Sequence, residues 1–275
     1  MESQVTIVKC DVAESTALCE ILEVIRPDQV YHLASASTKR IAEENPMAVG
    51  SGIICGTLGV LEAARRVGFS VLFVSSSEVY GQVEEASMPL REEMQPRPAG
   101  MYSVCKLSGE LLCEQYVRSY GVNAVRVRPF PHIGPFQAEK FVCAELALQV
   151  AEIESGKRRP EITVGDLSHA RDFVDVRDIV RGYWAALNEG RPGELYHLAS
   201  GVPTQISTIL DKVLELTDVK IAVTVDQARL RPGEILASWG DPRKSAELIG
   251  WRAGVPLAVT LKDILESARC LVRER

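Results

Sequence analysis

No two cysteines in this 275-residue chain are spaced Cys-x-x-Cys, and the four histidines do not cluster with them. The seven cysteines, Cys10, Cys19, Cys55, Cys105, Cys113, Cys143 and Cys270, are an odd number. That argues for reduced thiols in a cytosolic protein and against a metal centre. Positive charge is not in surplus either. The 31 basic residues against 37 acidic ones give a net charge of −6, which argues against a nucleic-acid surface. No signal peptide and no apolar run of membrane-spanning length stands out, so the chain reads as soluble and cytoplasmic, with no membrane partner. Repeats and low-complexity tracts are absent as well. What is present is an ordinary globular composition, 46% hydrophobic and 25% charged, enough for one large or two small domains with an ample core.

Apolar runs of strand length alternate with amphipathic runs of helix length. The pattern predicts strands over 5–8, 29–33, 71–75 and 124–128, with helices over 15–25, 47–67 and 101–120 between them. Residues 81–100 hold three prolines and many charges and read as a loop or lid. This is the βαβ order of a doubly wound parallel sheet. After Pro129 the elements shorten: helices over 141–156, 176–187, 205–217 and 257–273, and strands over 162–164, 194–198 and 221–225. Asp241-Pro242 offers helix-start chemistry and Gly250 a stop. The division expected is a sheet domain over 1–135 and a smaller lobe over 136–275 interleaved with the sheet.

Glycine is missing where a dinucleotide fold needs it. Such a fold opens with a strand, a Gly-rich turn and a helix whose N-terminus holds the diphosphate. No Gly-x-x-Gly-x-x-Gly follows the opening apolar run, and Gly50, Gly52 and Gly56 fall inside a helical stretch. The chain therefore reads as beginning at the third strand, short of roughly one 30-residue βαβ unit. A strand over 5–8 would then pair with 29–33, slide elsewhere, or leave an open edge.

The chemistry concentrates in three residues. Tyr102 and Lys106 are one helical turn apart and share a face, and Ser76 stands where the preceding strand ends. A phenol titrates near ~10 in water, and a cation within ~4–6 Å favours phenolate. A serine hydroxyl can hydrogen-bond a carbonyl that gains or loses hydride. Together they form a proton-relay set for carbonyl–alcohol redox. The Tyr-x-x-x-Lys spacing alone is a weak signal; the serine run and the αβ order around it add the weight. Glu78 reads either as a second acid–base group or as a hydrogen-bonding loop carboxylate. If the strand persisted, alternation would set Glu78 on the side of Ser76.

With those residues placed, the chain resembles the extended short-chain dehydrogenase/reductase family of nucleotide-sugar enzymes, and within it the GDP-sugar reductases and 4,6-dehydratases. The resemblance runs nearly end to end. It rests on Pro27-Asp28-x-Val30-Tyr31-His32-Leu33-Ala34, Ser75-Ser76-Ser77-Glu78-Val79-Tyr80-Gly81, Arg128-Pro129-Phe130-x-His132-Ile133-Gly134-Pro135, Arg171-Asp172-Phe173-Val174-Asp175 and Arg231-Pro232-Gly233-Glu234. It implies a Rossmann-like fold, truncated at its N-terminus, with a C-terminal substrate-binding lobe. NADP or NAD would lie against Asp11, Val12, Leu33, Ala34, Ser35, Pro129 and His132, with Tyr102 and Lys106 at the nicotinamide ribose. Ser76, Glu78, Tyr102 and Lys106 would be catalytic. Arg171 and Arg231, with Glu234 beside the latter, would hold the diphosphate of a GDP-sugar; a surface ion pair is the alternative for each arginine.

The activity implied is reduction of the C4 keto group of a GDP-4-keto-6-deoxyhexose with NAD(P)H. The dehydratase branch carries a pair of arginines and Arg-Asp-Trp where this chain has Phe136-Gln137 and Arg171-Asp172-Phe173, which favours a reductase. A 4,6-dehydratase with tightly held NADP is the alternative. A third reading is a non-catalytic remnant that binds nucleotide sugar or pairs with a longer relative. A homodimer or higher homo-oligomer is implied through the Tyr/Lys helix and the long helix before it. Two further departures from the resemblance stand out: Ile53 replaces an Asn, and Pro131 replaces the Asn of Arg-Pro-Phe-Asn.

Overall fold

The computed structural model describes residues 5–35, 44–226, 228 and 236–275. In chain order its helices are α1 Ser15–Ile25, α2 Pro46–Val67, α3 Met101–Tyr120, α4 Val142–Glu154, α5 Val176–Glu189, α6 Ile206–Leu214, α7 Arg243–Leu248 and α8 Leu257–Glu274. The strands are β1 Gln29–His32, β2 Ser70–Val74, β3 Ala124–Pro129, β4 His132–Ile133, β5 Glu161–Val164, β6 Ala170–Asp172, β7 Val174–Asp175, β8 Leu195–Leu198, β9 Pro203–Gln205, β10 Ala222–Val225 and β11 Ala237–Ser238. They fall into two compact units. One contains residues up to 82, 95–128 and 183–196; the other contains 83–94, 129–182 and 197–275.

The first unit is built on a parallel sheet of order β1-β2-β3-β8. Its register runs from Gln29 opposite Ser70 to His32 opposite Phe73, and from Val71 opposite Ala124 to Val74 opposite Val127. Local chemistry sets the helix ends. The Asp11 carboxylate accepts from Ala13 N at 2.9 Å in the turn before α1, and Pro27 follows the left-handed Arg26 that closes it. Asn45 caps α2 by accepting from Ala48 N at 3.2 Å, with Pro46 in the first turn. Residues Ser51–Cys55 of α2 take π geometry. Leu61, Val60, Val71, Phe73 and Ala124 form the core between helix and sheet. Contact there is close: a Cβ on Gly109 of α3 would lie 2.3 Å from the Phe73 ring.

Two expectations fail here. Residues 5–8 form no strand; Val5 and Ile7 are 81% and 89% exposed. An apolar run becomes a strand only when a neighbour supplies the ladder, and among the described residues β1 pairs with β2 alone. Second, α2 is long and apolar enough to cross a membrane by length and composition. Glu62, Arg65 and Arg66 lie towards its carboxyl end. Half of its most apolar window is buried, with Ile53, Val60, Leu61, Ala63 and Ala64 inside the unit, as suits a core helix of a doubly wound sheet.

In the second unit, α4, α6 and α8 enclose a core of Leu146, Val150, Ile162, Ile209, Leu261 and Leu265. β5 pairs in parallel with β10, β4 with β7, and β6 lies between β11 and antiparallel β9. Asp172, fully buried at the end of β6, accepts from the backbone N–H groups of Ser200 at 2.9 Å, Gly201 at 2.9 Å and Gly240 at 3.2 Å. One carboxylate thus ties two loops to the strand end. Asp241 starts α7 as its sequence suggests, accepting from Arg243 N at 3.0 Å.

Candidate active site

The chain leaves β2 through Ser75 and Ser76 into a 3-10 turn, Ser77–Tyr80. Ser76 is still extended, and its Oγ accepts from Glu78 N at 3.2 Å, capping the turn. Gly81 closes it at φ 63°, where a Cβ would lie 1.9 Å from the Arg97 carbonyl oxygen, so glycine is required. The strand does not persist to Glu78. The 3-10 turn, not strand alternation, places that carboxylate, and it lies near enough to Tyr102 to act on its phenol.

Tyr102 stands in the first turn of α3, with the Ser76 hydroxyl near enough to act on its phenol. Burial pushes its phenol above the usual range; the Ser76 hydroxyl opposes that and the Glu78 charge reinforces it. The expected depression by Lys106 is therefore not found. Lys106 Nζ is 5.9 Å from the centre of the Tyr102 ring and donates instead to the Val74 carbonyl at 2.7 Å. Lys106 is only 3% exposed, and burial holds its ammonium down to about 8 against the opposing pull of Glu110.

Around this trio the wall is largely apolar. Ile53 is buried with Val49 and Cys105, and Tyr102 packs against them. His32 Nε2 lies 3.3 Å from Thr57 Oγ1, which itself donates to the Ile53 carbonyl at 2.6 Å. His32 must then be the donor to Thr57. Burial, with Lys106 adding to it, lowers its pKa to about 4, so the ring is neutral. The phenol of Tyr183, also buried, is close enough to feel the Tyr102 charge.

Other residues singled out by sequence are placed as follows. Asp11 and Val12 form the turn into α1, with Asp11 exposed. Leu33, Ala34 and Ser35 follow β1 at its carboxyl end, where ligands of doubly wound sheets bind. In the second unit, Pro129 is buried at the end of β3, and His132 Nδ1 lies 3.1 Å from the Phe130 carbonyl. Arg171 is half-buried on β6 and donates to the Ala170 carbonyl at 2.8 Å. Arg231 and Glu234 lie outside the described residues.

The donor set at the carboxyl ends of β1 and β2 fits the nicotinamide half of a dinucleotide: a buried ammonium, a phenol and a serine hydroxyl. Among the described residues no Gly-rich turn leads from a strand into a helix to cradle a diphosphate. Sequence reasoning also missed a layer beneath the trio. Glu110, one turn beyond Lys106, is 2% exposed and takes a bidentate bond from Arg128, Nε to Oε1 at 2.8 Å and Nη2 to Oε2 at 2.6 Å. The spacing Tyr102, Lys106, Glu110 was the available signal: three polar residues on one face of a helix that must pack against a sheet.

A parallel doubly wound sheet with serine, tyrosine and lysine meeting at a strand end defines a Rossmann-like protein of the short-chain dehydrogenase/reductase type. More narrowly, the chain belongs to the GDP-mannose 4,6 dehydratase family, whose family model matches residues 1–264. It is 35% identical over 250 residues to GDP-6-deoxy-D-mannose reductase of Pseudomonas aeruginosa, covering 90% of this chain and 82% of the relative. To GDP-mannose 4,6-dehydratase of Sinorhizobium fredii it is 30% identical over 265 residues, covering 88% and 74%. Among solved structures, RMD from Pseudomonas aeruginosa complexed with NADPH superposes with a TM-score of 0.91 at 31% identity, covering 98% of this chain and 90% of that one. The UDP-glucuronic acid 4-epimerase of Bacillus cereus, in complex with UDP-glucuronic acid and NAD, gives 0.86 at 26% identity, covering 98% and 83%.

Proposed function

We propose that this chain reduces the C4 keto group of a GDP-4-keto-6-deoxyhexose with NADPH or NADH. The observation that carries the reading is the convergence of the Ser76 hydroxyl and the Tyr102 phenol, with the buried Lys106 ammonium 5.9 Å from the phenol ring. A reductase must begin with its proton on the donor, and a phenol pushed upward holds it. A bound reduced nicotinamide supplies the hydride. Ser76 donates to the substrate oxygen and orients the carbonyl, Tyr102 delivers its proton to that oxygen as it becomes an alcohol, and Lys106 stabilises the phenolate left behind. Similarity to a reductase and to an NADPH complex supports the same direction. Arg171 and Arg231 are the candidates for the substrate diphosphate, where a guanidinium fork matches two oxygens.

The second reading, a 4,6-dehydratase, is favoured by Glu78, whose charge acts on the Tyr102 phenol. As a base it would take a sugar proton beside the keto carbon. One assay separates the two. Incubation with GDP-4-keto-6-deoxymannose and NADPH is expected to consume one NADPH per sugar reduced. A 4-keto-6-deoxy product formed from GDP-mannose with no net dinucleotide consumption would select the dehydratase. Calorimetric titration that detects neither NADPH nor NADH would select the non-catalytic reading.

The proposal extends to a cytoplasmic homodimer. Met47 on α2 and Met101, Val104 and Leu111 on α3 are exposed apolar side chains, the helices through which the resemblance implies pairing. Leu111→Arg is expected to convert a dimer to a monomer in sedimentation velocity. A wild-type chain that sediments as a monomer at tens of micromolar would overturn this part.

A further inference from the structure

Beneath the trio lies a closed polar network that the reaction above does not use. Ser75 Oγ donates to Glu110 Oε1. Arg128 grips the Glu110 carboxylate with Nε and Nη2, and its third nitrogen, Nη1, donates to the Tyr80 hydroxyl at 2.6 Å. The Arg128 guanidinium also lies 4.7 Å from the centre of the Tyr80 ring. Ser75, Tyr80, Glu110 and Arg128 are all buried. Ser75 and Tyr80 bracket the segment that carries Ser76 and Glu78, so the network grips that segment at both ends. Its centre, Glu110, is one helical turn from Lys106 on the same face of α3.

We propose that Glu110, clamped by Arg128, is a positioning residue: it fixes the Ser75–Tyr80 segment so that Ser76 meets Tyr102, and it supplies the counter-charge that keeps Lys106 an ammonium. The inference rests on the roles given above to Ser76, Tyr102 and Lys106. Two physical arguments support it. A buried ion pair contributes little net stability compared with apolar packing of the same volume, so its geometry is the better account of its presence. And a buried ammonium loses its proton unless a negative charge offsets the loss of water; Glu110 acts in that sense on Lys106. The other groups facing Lys106 give no such help. From β1 comes neutral His32; from β2 come the Val74 carbonyl and the Phe73 ring, 5.5 Å away; from its own helix comes Tyr102, a protonated phenol.

Glu110→Gln keeps the shape and removes the charge. The Lys106 ammonium, followed by its 13Cε resonance and assigned with Lys106→Met, is expected to titrate at about 8 in the wild type. In Glu110→Gln its midpoint is expected to fall by about one pH unit, because the charge that raised it is gone. The alkaline limb of the kcat profile falls with it. At neutral pH kcat drops roughly 10- to 100-fold with KM for the sugar little changed, the size expected when a catalytic group is misplaced from a distance. Ser75→Ala keeps the charge and cuts one grip: kcat falls about tenfold and the Lys106 midpoint stays. An unchanged Lys106 midpoint in Glu110→Gln overturns the counter-charge role, and wild-type kcat in Ser75→Ala overturns the positioning role. The resonance needs no turnover. If the wild type reduces no keto sugar, the proposed activity fails while the Glu110–Lys106 coupling is still decided.

Discussion

Tyr102→Phe is expected to lower kcat for keto-sugar reduction by about 10²- to 10⁴-fold, the range ordinarily attributed to a positioned general acid. The substitution removes one oxygen from a half-buried ring and leaves its packing against Val49, Ile53 and Cys105 in place, so the melting temperature and sugar KM stay near wild type. Ser76 keeps its hydroxyl and can still donate to the substrate, which preserves binding. Lys106→Met should approach the same loss in kcat by a different route, since the phenolate formed on proton transfer then has no cation beside it. Wild-type kcat is expected to decline above about pH 8, where Lys106 gives up its proton, and that limb to vanish in Lys106→Met. A Tyr102→Phe variant within tenfold of the wild type would remove the phenol from the mechanism.

How much of this was legible follows from where each signal lives. α1 and α3 fall at the residues expected because both end in strong local punctuation: Arg26 before Pro27 for one, Gly121 for the other. The parallel strands β1, β2 and β3 are short apolar runs between such ends, and their order follows from chain alternation. The strand expected over 5–8 was misread because pairing is not a local property; Val5 and Ile7 alternate as a strand should and still have no ladder. The strands β4, β6, β7, β9 and β11, of two or three residues each, are too short for any period to show. The site divides in the same way. Tyr102, Lys106 and Ser76 were singled out from the Tyr-x-x-x-Lys spacing and the strand-end serine run. Glu110 and Arg128 were not, since their meeting depends on α3 lying across β3, a tertiary fact. The direction of the Tyr102 shift was misjudged for a related reason: sequence supplies the cation but not the depth of burial, and burial wins.

The largest effect on stability is expected from Arg128→Ala. Arg128 and Glu110 are 3% and 2% exposed, and the guanidinium makes two bonds to the carboxylate and one to Tyr80. Truncating the arginine leaves a buried carboxylate with Ser75 as its side-chain donor and removes the Arg128 donor from the Tyr80 hydroxyl. Breaking a buried pair from one side costs about 3–5 kcal/mol, a large share of the roughly 5–15 kcal/mol that holds a folded domain. The double variant Glu110→Leu/Arg128→Met removes both charges and fills the space, so it should recover most of that loss. Its kcat should nonetheless remain depressed, because Lys106 has lost its counter-charge and Ser75 its acceptor. A deficit below about 1 kcal/mol would mean that water reaches the pair, and the network could then neither grip the Ser76 segment nor hold charge under Lys106.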